Sequence, residues 1–251
     1  MPLTDLIRYF NSTDSAGDST LYGENEGAAA WHDGLHLRSL FQPIVNLQRQ
    51  QVVGHQAFLA ATRQDGSPLS AEEAYAACQS AESVVHFDRL CRTLHALNFL
   101  AQRHHAGGYL QLSVHPRHLL AVPSKHGLVF EAVLKRCGLA PDDLVLELAS
   151  GRILDDQRLA DAVHNYRQRG YRIALSGTDS HPELFAPDII KHTLDSRRTP
   201  ASPARLHIEG IASNEDVDRA RQQGAELGQG PLFGEARPLC VSTHNTSHNA
   251  R

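Results

Sequence analysis

Short apolar runs typical of β-strands alternate with stretches of helical period along most of the 251-residue chain. The runs that predict strands are LFQPIVNL, QVVGHQAFL, GYLQLSV, LVLELA, YRIALSG, DIIKHT, RLHIEG and a short one near ELGQG. The stretches that predict helices are 70–82, 84–104, 127–137, 155–169 and 214–224. Regular alternation of strand and helix predicts a parallel sheet. About eight strands in ~200 residues favour a closed (β/α)8 barrel over an open doubly wound sheet.

The two ends of the chain differ in composition from its middle. Residues 11–34 are rich in Ser, Gly, Asp and Asn, which predicts a flexible leader covering 1–36. This leader begins with a short amphipathic patch: Leu3, Leu6, Ile7 and Phe10. The patch either docks a partner or packs on its own domain. The polar tail 240–251 is expected to be disordered, which leaves 37–239 for the barrel.

Charge and cysteine content exclude several classes of function. The formal charge of -4 provides no basic field for nucleic acid, and the chain has no run of the ~20 apolar residues that membrane insertion needs. The cysteines are widely spaced and form no C-x-x-C pair: Cys78, Cys91, Cys137 and Cys240. We therefore predict a cytoplasmic protein without a disulfide framework or thiolate zinc site. The sixteen histidines form no H-E-x-x-H or comparable metal-binding pattern.

In a barrel of this kind, the side chains at the carboxyl ends of the strands build the functional site. The residues at the predicted strand ends are Gln56, Ser113, Glu147, Ser176, Gly177, Lys191, Glu209 and Gln229. This set holds two carboxylates and one lysine among neutral groups. The glutamine at position 56 is unexpected, because it stands where a strand would deliver a chemically active side chain.

Over residues 37–239, the order of motifs resembles the EAL-domain family of cyclic di-GMP phosphodiesterases. FQPIVNLQRQQVVGHQAFL is similar to the opening Q-P-I-V-x-L…G-x-E-A-L-L-R, and LSVHPRHLL to N-V-S-P-x-x-L. LVLELASGRIL is similar to L-x-L-E-I-T-E-x-x-L, GYRIALSG to G-x-x-I-A-L-D-D, and DIIKHT to V-x-K-I-D. HIEGIAS and LGQGPLFGEARP follow in the family order. Each motif is weak alone, but seven in order are specific.

The resemblance implies two divalent ions, Mg or Mn, that activate water to give linear pGpG. It also assigns the ligand positions one by one. The motif glutamate corresponds to Gln56 and the ligand asparagine to Ser113. The glutamate that accompanies Glu147 in the family motif corresponds to Ser150, and the paired aspartates correspond to Ser176 and Gly177. Glu147, Lys191, Glu209 and Gln229 are retained. Four anionic groups are thus neutral, and the remaining charges are a poor match for two dications. We predict no Mg or Mn, and no hydrolysis.

Two connections also depart from the family pattern. The loop SGTDSHPELFAP is shorter than the family's D-D-F-G-x-G-x-S-S loop, and HTLDSRRTPASPARLHI leaves no room for a full helix. The prediction is therefore a modified barrel of EAL type with one helix shortened or missing. An uncovered flank would then need a partner. A dimer is possible, but a family-style dimer is in doubt because the resemblance places the dimer-forming parts among those altered.

Three functions follow from the resemblance. The preferred one is a catalytically inactive bacterial regulator that acts through a protein partner in cyclic di-GMP-linked signalling. The alternative is a non-hydrolysing cyclic di-GMP receptor. Its ligand contacts would be Gln42, Phe58, Glu147, Lys191, Glu209, Gln229 and Phe233. Against it, Ala60 replaces the family's phosphate-contacting arginine, although Arg63 lies nearby. The retained charges can also simply neutralise one another. An active phosphodiesterase is the least favoured function.

Overall fold

The computed structural model describes residues 2–13, 19–25, 27–122, 128–149, 156–177, 185–196 and 203–242. The strands are β1 Ser19–Glu24, β2 Gly27–His32, β3 Leu35–Asn46, β4 Gln51–Arg63, β5 Pro68–Leu69, β6 Tyr109–Val114, β7 Leu144–Ala149, β8 Arg172–Ser176, β9 Ile189–Thr193, β10 Arg205–Glu209 and β11 Leu227–Gly228. The helices are α1 Leu3–Thr13, α2 Ala71–Ala77, α3 Ala81–Ala106, α4 Pro116–Ala121, α5 Leu128–Cys137, α6 Asp156–Arg167 and α7 Asn214–Gln222, with a 3-10 turn at Pro141–Asp143.

Eight of these strands close into a barrel, as the sequence predicted. The ring runs β3, β11, β10, β9, β8, β7, β6, β4 and returns to β3. From β4 to β11 each neighbouring pair in the ring is parallel, but β3 is antiparallel to both β4 and β11. The expectation of a uniformly parallel sheet was therefore wrong for β3. The turn 47–50 between β3 and β4 is far shorter than the dozen or so residues that a parallel crossover needs.

Part of the predicted leader is ordered sheet. Strands β1 and β2 pair with each other, and β2 extends the barrel sheet by pairing with β3. The prediction of a flexible segment at 11–34 was wrong for these strands, and the boundary drawn between residues 36 and 37 falls inside β3. The physical reason is tertiary. The side chain of Asn98 on α3 accepts from Ala28 N at 2.7 Å and donates to Ala28 O at 2.9 Å, which fixes a strand of low intrinsic propensity.

Helix α1 uses the amphipathic patch within the domain. Leu6, Ile7 and Phe10 are buried in the main core. The side chain of Asn11 also forms two hydrogen bonds with the backbone of Leu21 in β1: it accepts from the N–H at 2.9 Å and donates to the carbonyl at 2.8 Å. Of the two uses considered for the patch, packing on its own domain is the one observed.

The end of the described chain is also held against the domain by hydrogen bonds. Cys240 is buried, and its N–H donates to Gln102 Oε1 at 2.7 Å. The N–H of Val241 donates to His55 Nε2 at 3.1 Å. The predicted disordered tail is therefore packed at residues 240–242, and residues 243–251 lie outside the described part.

Most helices match the predictions, with two differences. The helix predicted at 70–82 ends at Ala77, and Ser80 begins α3 with a capping box. Helix α4 was not predicted. Its signals are local: His115 caps the first turn and Pro116 occupies its first position. Among the described residues, no helix is long and apolar enough to cross a membrane.

The connection between β9 and β10 holds no helix in its described part, while residues 197–202 lie outside that part. Ile190 and Ile208 point outward from these two strands, and both are buried. Ile208 packs in a cluster with Val217 and Ala220 of α7. The uncovered apolar flank expected here is therefore not found at these positions.

Candidate functional site at the barrel mouth

The mouth of the barrel gathers inward-facing side chains from four strands around one lysine. Because alternate strand residues share a face, Gln56 of β4 and Glu147 of β7 point inward near the carboxyl ends of their strands. Lys191 of β9 and Glu209 of β10 do the same. All four residues lie at strand ends predicted from the sequence, and the structure joins them in one network of hydrogen bonds and ion pairs.

Lys191 lies at the centre of the network. Its side chain is 0% exposed, and its ammonium lies 2.9 Å from Glu147 Oε2 and 2.8 Å from Glu209 Oε1. It also donates to Gln56 Oε1 at 3.1 Å. An ammonium has three protons, and here it has three oxygen acceptors within bonding distance. The cation is therefore fully engaged by groups of the protein itself.

The amide of Gln56 fits this arrangement in one orientation only. Its Nε2 donates to Glu147 Oε2 at 2.8 Å while its Oε1 accepts from Lys191. A flipped amide would place an oxygen against a carboxylate and an NH2 against an ammonium, and both contacts would repel. A carboxylate at position 56 would face the same repulsion from Glu147. The neutral amide therefore matches a mouth whose cation is lysine.

Glu147 Oε2 is the main acceptor of the site. Besides Gln56 and Lys191, it accepts from Gln111 Nε2 at 2.9 Å and weakly from Ser113 Oγ at 3.5 Å. The sequence analysis missed Gln111. The signal available was its position two residues before Ser113, which places both side chains on the inner face of β6.

His207 is a second inward residue that the sequence analysis did not single out. It is fully buried on β10, paired in register with Lys191, and neither ring nitrogen has a hydrogen-bond partner in the described part of the chain. Burial holds its pKa well below the ordinary value, and the nearby Lys191 and Arg205 add to the effect. A neutral imidazole therefore adds no positive charge beside the lysine.

The remaining predicted ligand contacts form a separate group. Gln229 Nε2 donates to Gln42 Oε1 at 3.0 Å, and Gln42 Nε2 donates to Gly234 O at 3.0 Å. Phe233 packs against the cluster around Ile211, whereas Phe58 is exposed at the rim. Thus the structure pairs the two glutamines with each other, and Phe58 is the most exposed of these four residues.

Three further positions that the family resemblance assigns to metal ligands lie at or beside the mouth. Ser113 contacts Glu147, and Ser176 pairs in register with Lys191. Gly177 follows β8 with a φ of 72°. Ser150 and the loop 178–184 lie outside the described residues.

These side chains do not fit a pair of divalent ions. Hard cations need several anionic oxygen ligands, and the described residues contain no group of three or more His, Cys, Asp or Glu side chains that could hold a metal ion. The two carboxylates present are both bound by Lys191. Gln56 and Gln111 also direct N–H donors at the oxygen that a metal would need.

A buried ion pair supports the rim from outside. Asp88 of α3 lies 2.5 Å from Arg92 Nη2 and 3.3 Å from His118 Nδ1 of α4. Its other oxygen accepts from Tyr75 of α2 at 3.0 Å and from the N–H of His115 at 3.2 Å. Because α4 follows β6 directly, this cluster fixes the segment beside Ser113 against two helices.

Fold and mouth together define a class of protein: an eight-stranded α/β barrel with one antiparallel strand and a carboxylate–lysine site at the carboxyl ends of its strands. The sequence model of the EAL domain matches residues 28–185, which is more than half of the chain. The chain belongs to the EAL domain family, which is linked to cyclic di-GMP signalling. No curated protein sequence matches it.

Solved structures share the fold. A standalone versatile EAL protein from Vibrio cholerae O395, in its c-di-GMP-bound form, is 18% identical with a TM-score of 0.68, over 85% of this chain and 98% of that one. The Bacillus subtilis YkuI protein, in complex with c-di-GMP and calcium, is 20% identical with a TM-score of 0.68, over 83% and 58%. The EAL enzyme Bd1971, bound to cAMP and cyclic di-GMP, is 17% identical with a TM-score of 0.65, over 80% and 62%. The chain thus spans about three fifths of Bd1971.

Proposed function

We propose that this protein is a catalytically inactive EAL-family regulator that acts through protein–protein contacts in cyclic di-GMP-linked signalling. The observation that carries the absence of catalysis is the Gln56 amide, which donates to Glu147 and accepts from Lys191. The mouth has one of its two carboxylate charges offset by its own lysine. It lacks the anionic oxygens that two catalytic dications require.

Hydrolysis is tested directly by incubating the protein with cyclic di-GMP and either Mn or Mg, and measuring pGpG by chromatography. An active EAL phosphodiesterase in parallel reactions shows that the conditions support turnover. We expect no pGpG above the rate of a metal-free blank. Product at ordinary enzyme rates, abolished by Glu147→Gln, would refute the proposal.

Two exposed apolar side chains at the mouth support a role in protein contact. Phe58 lies two residues beyond Gln56 on the same face of β4, and Leu232 follows the end of β11. Both are exposed. Large apolar side chains that stay exposed at one end of a barrel are candidates for a contact surface. The amphipathic α1 does not add to this support, because its apolar face is buried in the core.

A purification from the native host tests this contact. Wild type should retain a stoichiometric protein partner, and the double variant Phe58→Ser/Leu232→Ser should lose it. Leu239→Ser is the matched control, since Leu239 is exposed but lies beside Pro238, whose carbonyl binds Gln102 near the end of α3. Equal recovery from the wild type and the double variant would contradict a contact at the mouth.

The second candidate is a non-hydrolysing cyclic di-GMP receptor, and the exposed ring of Phe58 beside the mouth favours it as a surface for a base. Against it, Lys191 and the Gln42–Gln229 pair are already engaged. Titration calorimetry with cyclic di-GMP, with and without divalent ion, separates the two candidates. Binding tighter than ~10 μM, about 7 kcal/mol, would make the receptor the preferred function.

A further inference from the structure

The outer sheet formed by β1, β2 and β3 carries a compact polar and aromatic group on one face: Tyr22, Glu24, Trp31, His36 and Arg38. Trp31 and His36 are register partners on neighbouring strands, so their side chains lie on the same face. This face is also that of Arg38, which is two residues further along β3. Strands β1 and β2 lie outside the barrel ring, whereas β3 is one of its eight strands.

Arg38 presents the edge of its guanidinium that suits a bidentate anion. Its Nε lies 2.5 Å from Glu24 Oε2, and its Nη2 donates to Glu24 Oε1 at 2.8 Å. The arginine side chain is half exposed, so water and ligands can reach it. A paired carboxylate occupies this edge as two phosphate oxygens would. Its hydrogen bonds with Arg38 also lower the pKa of Glu24.

Aromatic rings surround the ion pair. The ring of His36 stacks on Tyr22 with centroids 5.9 Å apart, and it lies 5.1 Å from Trp31. His36 Nε2 is 3.6 Å from Glu24 Oε1. Trp31 is 41% exposed, which is unusual for a tryptophan without a partner surface. Exposed aromatic faces beside an arginine are the means by which proteins stack a base and hold its phosphate.

We propose that this face is a nucleotide-binding site on the outer sheet, beyond the barrel mouth, in which Arg38 holds the phosphate, Trp31 and His36 stack on the base, and Glu24 occupies Arg38 when no ligand is bound. Arg38 also stands directly opposite Ala60 in the β3–β4 register. A ligand must displace Glu24, so removal of its charge strengthens binding.

Fluorescence of Trp31, the single tryptophan of the chain, reports directly on this face. The probes are guanosine 5′-monophosphate and cyclic di-GMP, titrated into wild type, Glu24→Gln, and Glu24→Gln/Arg38→Gln. We expect Glu24→Gln to bind the tighter probe about threefold to tenfold more strongly than wild type, as loss of a partly exposed ion pair allows. The double variant should lose the gain, whereas Leu239→Ser, at an exposed residue outside this face, should leave the affinity of wild type unchanged.

Three results would overturn the proposal. The first is that Glu24→Gln and wild type bind the probe with equal affinity. The second is that Glu24→Gln/Arg38→Gln binds as tightly as Glu24→Gln. The third is the absence of any fluorescence change with either probe up to about 5 mM, a concentration at which even millimolar binding would register. Circular dichroism of each variant checks that the fold is intact. None of these results bears on the proposed inactivity, which the pGpG assay tests separately.

Discussion

Substitution of Lys191 by methionine tests the ion-pair network most sharply. Methionine keeps most of the aliphatic volume, so little cavity is created. What is lost is the ammonium that bonds Glu147, Glu209 and Gln56. Glu147 would then remain buried and would accept hydrogen bonds only from the neutral side chains of Gln56, Gln111 and Ser113.

The distances set the size of the effect. At an effective dielectric constant of ~20, unit charges separated by the 2.9 Å between Lys191 Nζ and Glu147 Oε2 attract by about 6 kcal/mol. Burial of the ammonium costs part of this, and the more exposed Glu209 contributes a screened share. We therefore expect Lys191→Met to reduce the free energy of unfolding by about 3–5 kcal/mol, as for other buried pairs that lose one partner.

Urea unfolding near neutral pH, followed by circular dichroism, measures this loss. Adding Glu147→Gln to Lys191→Met removes the uncompensated charge and should recover about 2 kcal/mol. Arg103→Met is the matched control, because the Arg103–Asp143 pair has a similar distance, 2.8 Å, but lies near the surface. It should cost less than about 1 kcal/mol. A loss for Lys191→Met no larger than for this control, or no recovery in the double variant, would refute the reasoning.

Three further predictions concern charge, protonation and backbone. Gln56→Glu should lower the free energy of unfolding by about 2 kcal/mol or more at alkaline pH. The loss should be much smaller in mild acid, because the introduced carboxyl is then protonated and can still donate a hydrogen bond to Glu147. A loss that does not depend on pH would contradict this prediction. Burial lowers the pKa of His55 and His95 to about 4, so the unfolded chain binds more protons between about 4 and 6.5 and stability falls as pH drops through this window. In urea unfolding, the free energy of unfolding should be about 2 kcal/mol lower per histidine at about pH 5 than near neutral pH. His95→Gln should reduce this dependence of stability on pH. Gly108→Ala should cost more than Gly66→Ala in thermal unfolding, because both have positive φ but only at Gly108 would a Cβ meet backbone, 2.2 Å from Val53 O.

The barrel was predictable because most of its strands are apolar runs that are buried by their neighbours in the ring. Local pattern and tertiary structure agree there, so both the strands and the residues at their ends follow from sequence. The same holds for Glu147 and Lys191, which a parallel barrel necessarily brings to one end.

The hairpin β1–β2 could not be predicted in the same way. GAAAWH has little strand propensity, and its stability comes from Asn98 and from packing on α1 and α3, which are distant in sequence. The Glu24–Arg38 pair depends on this hairpin and was therefore also missed. Gln111 and His207 were overlooked although the two-residue period of their strands points both inward.

The central claim is that a lysine ammonium, and not a pair of metal ions, binds the two carboxylates at the mouth of this barrel. The most direct measurement is an anomalous difference map from a crystal soaked in manganese, at a pH near neutral. The account predicts no manganese peak within coordination distance of Glu147 or Glu209, with Lys191 still bonded to both. Two peaks coordinated by Glu147 and Glu209, with Lys191 displaced, would contradict it.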